Sequence, residues 1–175
     1  MPRYIRARIP GGTFFFTVAL LERRQRLLTD HIDALRKAFA SVRAQRPFTI
    51  DAAVILPDHL HCIWTLPQGD ADFSIRWHAI KSTFSRGLPK IERLSARRIV
   101  KGERGIWQRR FWEHTVRGDT DFARHMHYIH YNPVKHGHAR RAADWPFSTF
   151  HRCVERGIYA PDWGASDDVR ALDLE

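Results

Sequence analysis

His59 and His61 stand one residue apart in ILPDHLHCIW (55–64), and two imidazoles at that spacing on an extended chain can converge on one divalent ion. Composition lends the pair no weight. The chain has 11 histidines in 175 residues and three His-x-His pairs, the others being His125/His127 and His136/His138. Backbone geometry separates them. Alternate side chains of a strand share a face, so His59 and His61 point the same way, roughly 7 Å apart at Cα. Leu60, Cys62, Trp64 and Leu66 then form the opposite, apolar face, suited to a core. On a helix His125 and His127 lie about 200° apart and do not readily share a ligand. His136 and His138 flank Gly137 in a loop and read as solvated. The spacing of His59 and His61 serves a pair of half-buried strand histidines equally well.

A third ligand and a reactive group lie in HMHYIHYNPVKHG (125–137). Tyr128 and Asn132 are one helical turn apart on one face, beside the Met126/Ile129 stripe. Pro133 places Asn132 at a helix terminus, where its amide oxygen is a hard ligand suited to Mg²⁺ or Mn²⁺. A boundary aromatic at Tyr128 and a helix C-cap at Asn132 are the structural alternatives. Tyr131 lies about 60° from Tyr128 around the helix and is the substitute nucleophile to exclude.

The elements that must hold these residues are legible in outline. Gly11-Gly12 opens a β-rich run to about Leu21. Asp30 caps a helix carrying Ile32, Leu35, Phe39 and Val42, which Pro47 closes. Phe48 to Leu56 and His59 to Leu66 read as two strands around a Pro57-Asp58 turn. A helix follows from about Phe73 to Arg86, then a basic irregular stretch from Ile91 to Gly105, then an alternating strand from Trp107 to Arg117. Gly118-Asp119-Thr120 starts the last helix, with Phe122, Met126 and Ile129 buried and Pro133 as its stop. The order β-α-β-β-α-β-α predicts an α+β, ferredoxin-like antiparallel sheet with helices packed on one face. Residues 1–175 read as one domain, with 139–175 as an irregular extension wrapping it.

Charge points to the partner. Lys and Arg number 29 against 19 Asp and Glu, for a net charge of +10 and a pI near 10.4, which favours a polyanion such as nucleic acid. Arg76, Lys81, Arg86, Arg109, Arg110, Lys135, Arg140 and Arg141 are candidate phosphate contacts. Trp77, Trp107 and Trp112 are either core residues or platforms for unpaired bases. Cys62 and Cys153 fit neither a disulfide framework nor a zinc knuckle. The longest apolar run, TFFFTVALL (13–21), is too short to span a bilayer and precedes ERRQR rather than a cleavage site. A reduced cytoplasmic protein without membrane partners is expected. The chain has no Gly-rich phosphate loop, so no nucleotide cofactor is expected.

Three ordered motifs together resemble the REP-associated tyrosine transposases, a domesticated branch of the single-tyrosine HUH transposases related to insertion sequence 200. They are His59-Leu60-His61 after LPD, WQRRFWEH (107–114) and YIHYNPVKHG (128–137), and the resemblance runs from about residue 10 to residue 164. It implies that His59, His61 and Asn132 ligate the metal and that Tyr128 is the nucleophile. It also implies a bacterial, nucleoid-associated enzyme, monomeric or weakly dimeric. Such an enzyme cuts and rejoins single-stranded DNA at hairpin-forming palindromes through a 5′-phosphotyrosine. Two departures stand out: Pro57-Asp58 where the pattern has Pro-Asn, and HGH (136–138) in place of HGL. Neither departure is expected to touch a ligand. A non-catalytic nucleic-acid-binding module on the same sheet, and a phosphodiesterase using water, are the competing readings.

Overall fold

The computed structural model describes residues 6–90 and 92–174. β1 (Thr13–Ala19), β2 (Thr49–Ile55), β3 (His59–Thr65) and β4 (Trp112–Thr115) form one antiparallel sheet in the order β2-β3-β1-β4. Its crossover helices are α2 (Ile32–Gln45), between β1 and β2, and α3 (Phe73–Arg86), between β3 and β4. This is the ferredoxin-like arrangement the element order predicts.

The run of three phenylalanines in β1 explains why both faces of the sheet are covered. Phe14 and Phe16 point to one side, with Leu60, Cys62 and Trp64, and meet Leu35, Ala38 and Val42 of α2 and Phe73, Trp77 and Ile80 of α3. Trp64 and Trp77 stack at 4.2 Å in that core. Phe15 points to the other side with Ile63, Ala52 and Val54, where Tyr128, Ile129 and Leu172 cover it. The sheet therefore carries α2 and α3 on one face and α5 (Gly118–Lys135) on the other, not all helices on one face as expected, because Phe15, Ala52, Val54 and Ile63 leave the second face apolar and in need of cover.

The boundaries differ from the sequence reading in three places. Asp30 does not cap α2: Leu27–Asp30 forms its own turn, α1, because buried Leu28 draws it inward and Leu28 N–H bonds Pro57 O, and His31 takes the cap position. By contrast Asp72 does cap α3, accepting from Ile75 N–H at 3.0 Å. The strand expected over 107–117 shrinks to Trp112–Thr115, since Trp107 and Phe111 turn into the core and only a bridge from Trp107 to Leu20 remains. Within the basic stretch, whose first residue Ile91 lies outside the described residues, Ala96–Val100 forms the short α4.

The third difference bears on the site. α5 runs through Pro133 to Lys135. Its terminator is Gly137, at φ +70°: Gly137 N–H bonds Val134 O and His138 N–H bonds Pro133 O, the Schellman pattern. Beyond it, residues 139–174 add a 3₁₀ turn (Ala142–Asp144), α6 (Phe150–Glu155) and α7 (Asp167–Arg170), with the 147–149 segment bonded along the β2 edge. No helix among the described residues is long and apolar enough to cross a membrane.

Candidate active site

Strand register and helix period together build the site. Thr17 pairs with His61 and Ala19 with His59, so both histidines lie on the α5 face of the sheet. Their rings are 5.0 Å apart. α5 crosses them so that every fourth residue meets the strand. The Tyr128 ring is 5.4 Å from His61 and the His136 ring is 5.1 Å from His59. Asn132 lies on the same stripe, one turn from each. His61, Tyr128 and Asn132 are 0% exposed and His59 is 2% exposed, so all four are buried.

Neighbours fix the imidazole tautomers. His59 Nδ1 is 2.8 Å from Asp58 Oδ1, and an ionised carboxylate only accepts. Arg23 Nη2 also approaches Nδ1, at 3.3 Å and as a donor only, but the shorter carboxylate contact prevails and puts the proton on Nδ1 and the lone pair on Nε2. Burial works against the Asp58 carboxylate, but hydrogen bonds from His59 and Arg23 outweigh it and hold it well below the usual carboxylate range. The Asp58 departure thus does touch His59, contrary to expectation. His61 Nδ1 meets the Thr17 hydroxyl at 2.8 Å, which sets the same tautomer when that oxygen accepts. Ring nitrogens oriented in this way, each backed by an oxygen on the far side, are the usual arrangement of metal-binding histidines.

Asn132 tests whether a metal fits. Its Oδ1 and Nδ2 are buried with no hydrogen-bond partner, a state that costs about 1–3 kcal/mol in an interior. A buried amide oxygen left so, on the helical stripe between the residues that pack on His61 and His59, would complete with them the N,N,O donor set of a divalent ion.

Two further residues join the site. Lys135 Nζ lies 3.4 Å from the Tyr128 hydroxyl and 5.0 Å from its ring centroid, and also donates to Leu172 O and Asp173 Oδ1. His136, expected in a solvated loop, instead packs on His59. It was hidden by the assumption that Pro133 ends the helix. The positions 128, 132 and 136 are i, i+4 and i+8, so a helix carried to Lys135 would have displayed it. Leu172 packs with Tyr128 in the second core and, with Lys135, roofs the site.

The basic candidates divide by burial. Arg76 is only 2% exposed, and its guanidinium bonds Asp70 and the carbonyls of Arg46, Pro47 and Asp72. It is a structural residue, not a surface phosphate contact. Lys81 is half-buried against Trp107 and Phe111 and donates to Gln108 O, and burial, with Arg6 nearby, brings its ammonium down to about 8. Arg86, Arg109, Arg110, Arg140 and Arg141 are exposed. Among these, Arg109 pairs with Glu103 and Arg141 with Asp144. Trp77 and Trp107 belong to the core, whereas Trp112 is 53% exposed.

Comparison with known proteins shows the family to which the chain belongs. Residues 15–132, from β1 to Asn132, match the family "Transposase IS200 like". The chain is 50% identical over 163 residues to the REP-associated tyrosine transposase of Escherichia coli K12, covering 93% of this chain and 91% of that one. A relative from Haemophilus influenzae is 44% identical over 97% of both chains. A solved structure of the REP-associated tyrosine transposase bound to a REP hairpin superposes with TM-score 0.82 at 49% identity, over 95% of this chain and 93% of that one. With half its residues shared along nearly the full length of such a protein, the chain belongs to the IS200-like transposases, in their REP-associated tyrosine transposase branch.

Proposed function

We propose that this transposase cuts and rejoins single-stranded DNA at hairpin-forming palindromes, with Tyr128 as nucleophile and His59, His61 and Asn132 as ligands of Mg²⁺ or Mn²⁺. The observation that carries the reading is the packing of Tyr128 on His61 and of His136 on His59, two turns of one helical stripe with buried Asn132 between them, against a histidine pair whose Nδ1 atoms are already engaged by Asp58 and Thr17. The hairpin in the related structure supports a hairpin substrate.

The chemistry follows from the residues. The Tyr128 oxygen attacks a backbone phosphorus, the bond to the 3′ oxygen breaks, and a 5′-phosphotyrosine and a free 3′-hydroxyl result. The proton lost by the phenol is made up at the departing 3′ oxygen, by way of water, and the Lys135 ammonium beside the hydroxyl stabilises the negative oxygen of Tyr128. When bound, the divalent ion polarises the scissile phosphate and neutralises its developing charge. Attack by a 3′-hydroxyl on the phosphotyrosine reverses the step and rejoins strands, so no external energy source enters. Exposed Arg86, Arg109, Arg110, Arg140 and Arg141 hold the DNA backbone, and Trp112 stacks on an unpaired base. Two free, buried cysteines suit a reducing cytoplasm, where the enzyme meets its DNA at the nucleoid.

The test is a denaturing gel of the protein mixed with a 5′-labelled and a 3′-labelled hairpin oligonucleotide and Mn²⁺. A covalent adduct carrying the 3′ fragment, lost in Tyr128→Phe, is expected. Cleavage without adduct would mean hydrolysis by water, and an adduct that survives Tyr128→Phe would move the nucleophile to another residue such as Tyr131.

A further inference from the structure

A second group of ligand-type side chains lies beside the proposed active site and takes no part in it. His114 stands on β4, and Asp121 and His125 are one turn apart at the start of α5. His114 Nε2 is 2.8 Å from Asp121 Oδ2, and His125 Nδ1 is 3.0 Å from Asp121 Oδ1. The two imidazoles stack face to face, 4.6 Å apart at 14°, with one carboxylate between their inner nitrogens. All three ligand atoms lie within 4.8 Å of one another.

From this arrangement we infer a second metal site: His114, Asp121 and His125 bind a transition-metal dication of the zinc class. The donor set of two imidazoles and one carboxylate is that of a zinc centre with its fourth position open to water. Ligand atoms around such an ion stand roughly 3.4 Å apart for bonds of about 2.1 Å. Separations of 2.8 and 3.0 Å, one to each oxygen of Asp121, and a ligand set contained within 4.8 Å bracket that spacing. The carboxylate is already oriented, because Asp121 Oδ2 also accepts Arg117 N–H at 2.8 Å. His125 Nδ1 now meets Asp121 O at 2.8 Å, so binding moves its proton to Nε2 and gives up that bond.

The position gives the ion a structural task. Between His114 and Asp121 the chain turns at Gly118, whose φ of +77° suits glycine alone. An ion held from both sides of that turn cross-links the sheet edge to the first turns of the helix that carries Tyr128. The Phe15 ring touches His125 at 4.8 Å, Tyr128 at 6.1 Å and His61 at 5.7 Å, so it separates the two sites and forms a wall of both. The inference concerns none of the residues of the proposed active site and does not depend on that reading.

The experiment uses the chelator-stripped full chain titrated with Co²⁺, read by visible absorption, and with Zn²⁺, read by calorimetry and thermal unfolding. His59→Ala/His61→Ala is expected to retain one ion with a tetrahedral Co²⁺ spectrum and to melt higher with Zn²⁺ than without. Adding His114→Ala, at a half-exposed position, or the near-isosteric Asp121→Asn should remove both signals, with circular dichroism checking the fold. The inference is overturned if His59→Ala/His61→Ala binds no ion, or if His114→Ala and Asp121→Asn leave the ion in place. Equal stoichiometry in wild type and His59→Ala/His61→Ala would instead count against the histidine pair as ligands and leave the second site standing.

Discussion

Lys135 Nζ lies 3.4 Å from the hydroxyl of Tyr128, two turns back along the same helix, and faces its ring at 5.0 Å. In the proposed mechanism a cation held there acts on the phenolic oxygen rather than on a distant phosphate. Lys135→Met is therefore expected to slow adduct formation by on the order of 10²-fold while hairpin affinity changes little. Single-turnover gels and a fluorescence binding titration separate the two effects. If Lys135 served instead as a phosphate contact, affinity would fall across all sequences and the salt slope would drop by about one.

Tyr128 is 0% exposed, so no phosphate reaches it while Leu172 covers it. The segment carrying Leu172 is held by the Lys135 bonds to Leu172 O and to Asp173, whose side chain is 81% exposed. Such a surface pair contributes about 0–1 kcal/mol, and burial of Leu172 about 1.5–3 kcal/mol, so the cover opens at modest cost. Deleting residues 167–175 should speed single-turnover adduct formation and lower the denaturant midpoint, since buried Val169 and Leu172 go with it. An unchanged rate would show that uncovering the tyrosine does not limit the reaction.

Asn132 predicts opposite effects on stability and chemistry. Its two side-chain polar atoms are buried without partners, so Asn132→Leu, similar in size, should stabilise the metal-free protein by about 1–3 kcal/mol in urea unfolding. The same variant should lose Mn²⁺-dependent adduct formation. Reduced stability, or activity kept with Mn²⁺, would refute the assignment of Asn132 as a ligand kept unsatisfied for the ion.

Much of this site was legible in the chain because two periodicities define it. Alternation in β3 separated His59 and His61 from Leu60, Cys62 and Trp64, and the turn-long spacing of Tyr128 and Asn132 placed them on one stripe. Packing then laid that stripe across the histidines. The residues that escaped did so for local reasons. Pro133 reads as a stop, yet near a helix end it costs a single backbone bond and the Gly137 turn ends the helix instead, so His136 was read as loop. His114 and Asp121 meet across a strand-to-helix turn, which neither period reports. Burial of a charged side chain is likewise invisible to a charge count, and Arg76 is the example.

Arg76 holds three backbone carbonyls and Asp70 together beneath α3. Removing it leaves those acceptors short of a donor, at about 1–3 kcal/mol for each that stays buried. Arg76→Ala should thus destabilise the fold by roughly 2–4 kcal/mol in urea unfolding, while the fraction that remains folded binds hairpin DNA as wild type does. Exposed Arg110→Ala should do the reverse, weakening binding and sparing stability.

His130 gives the fold an acid limit. Its Nδ1 meets the Tyr159 hydroxyl at 3.1 Å and its Nε2 meets Thr149 Oγ1 at 2.8 Å. Burial, with repulsion from His127, Arg152 and His151 added, brings it down to about 3. Unfolded, the same imidazole titrates near 6.5, so the unfolded chain takes up the proton first as pH falls. The stability contributed by neutral His130 is complete above about pH 6.5 and declines toward pH 3, at about 1.4 kcal/mol per pH unit. His130→Gln, which keeps a donor and an acceptor, should flatten that share of the slope. Urea midpoints at about pH 6.5, 5.5 and 4.5 measure it, and a slope as steep in His130→Gln as in wild type would assign the acid sensitivity to other histidines.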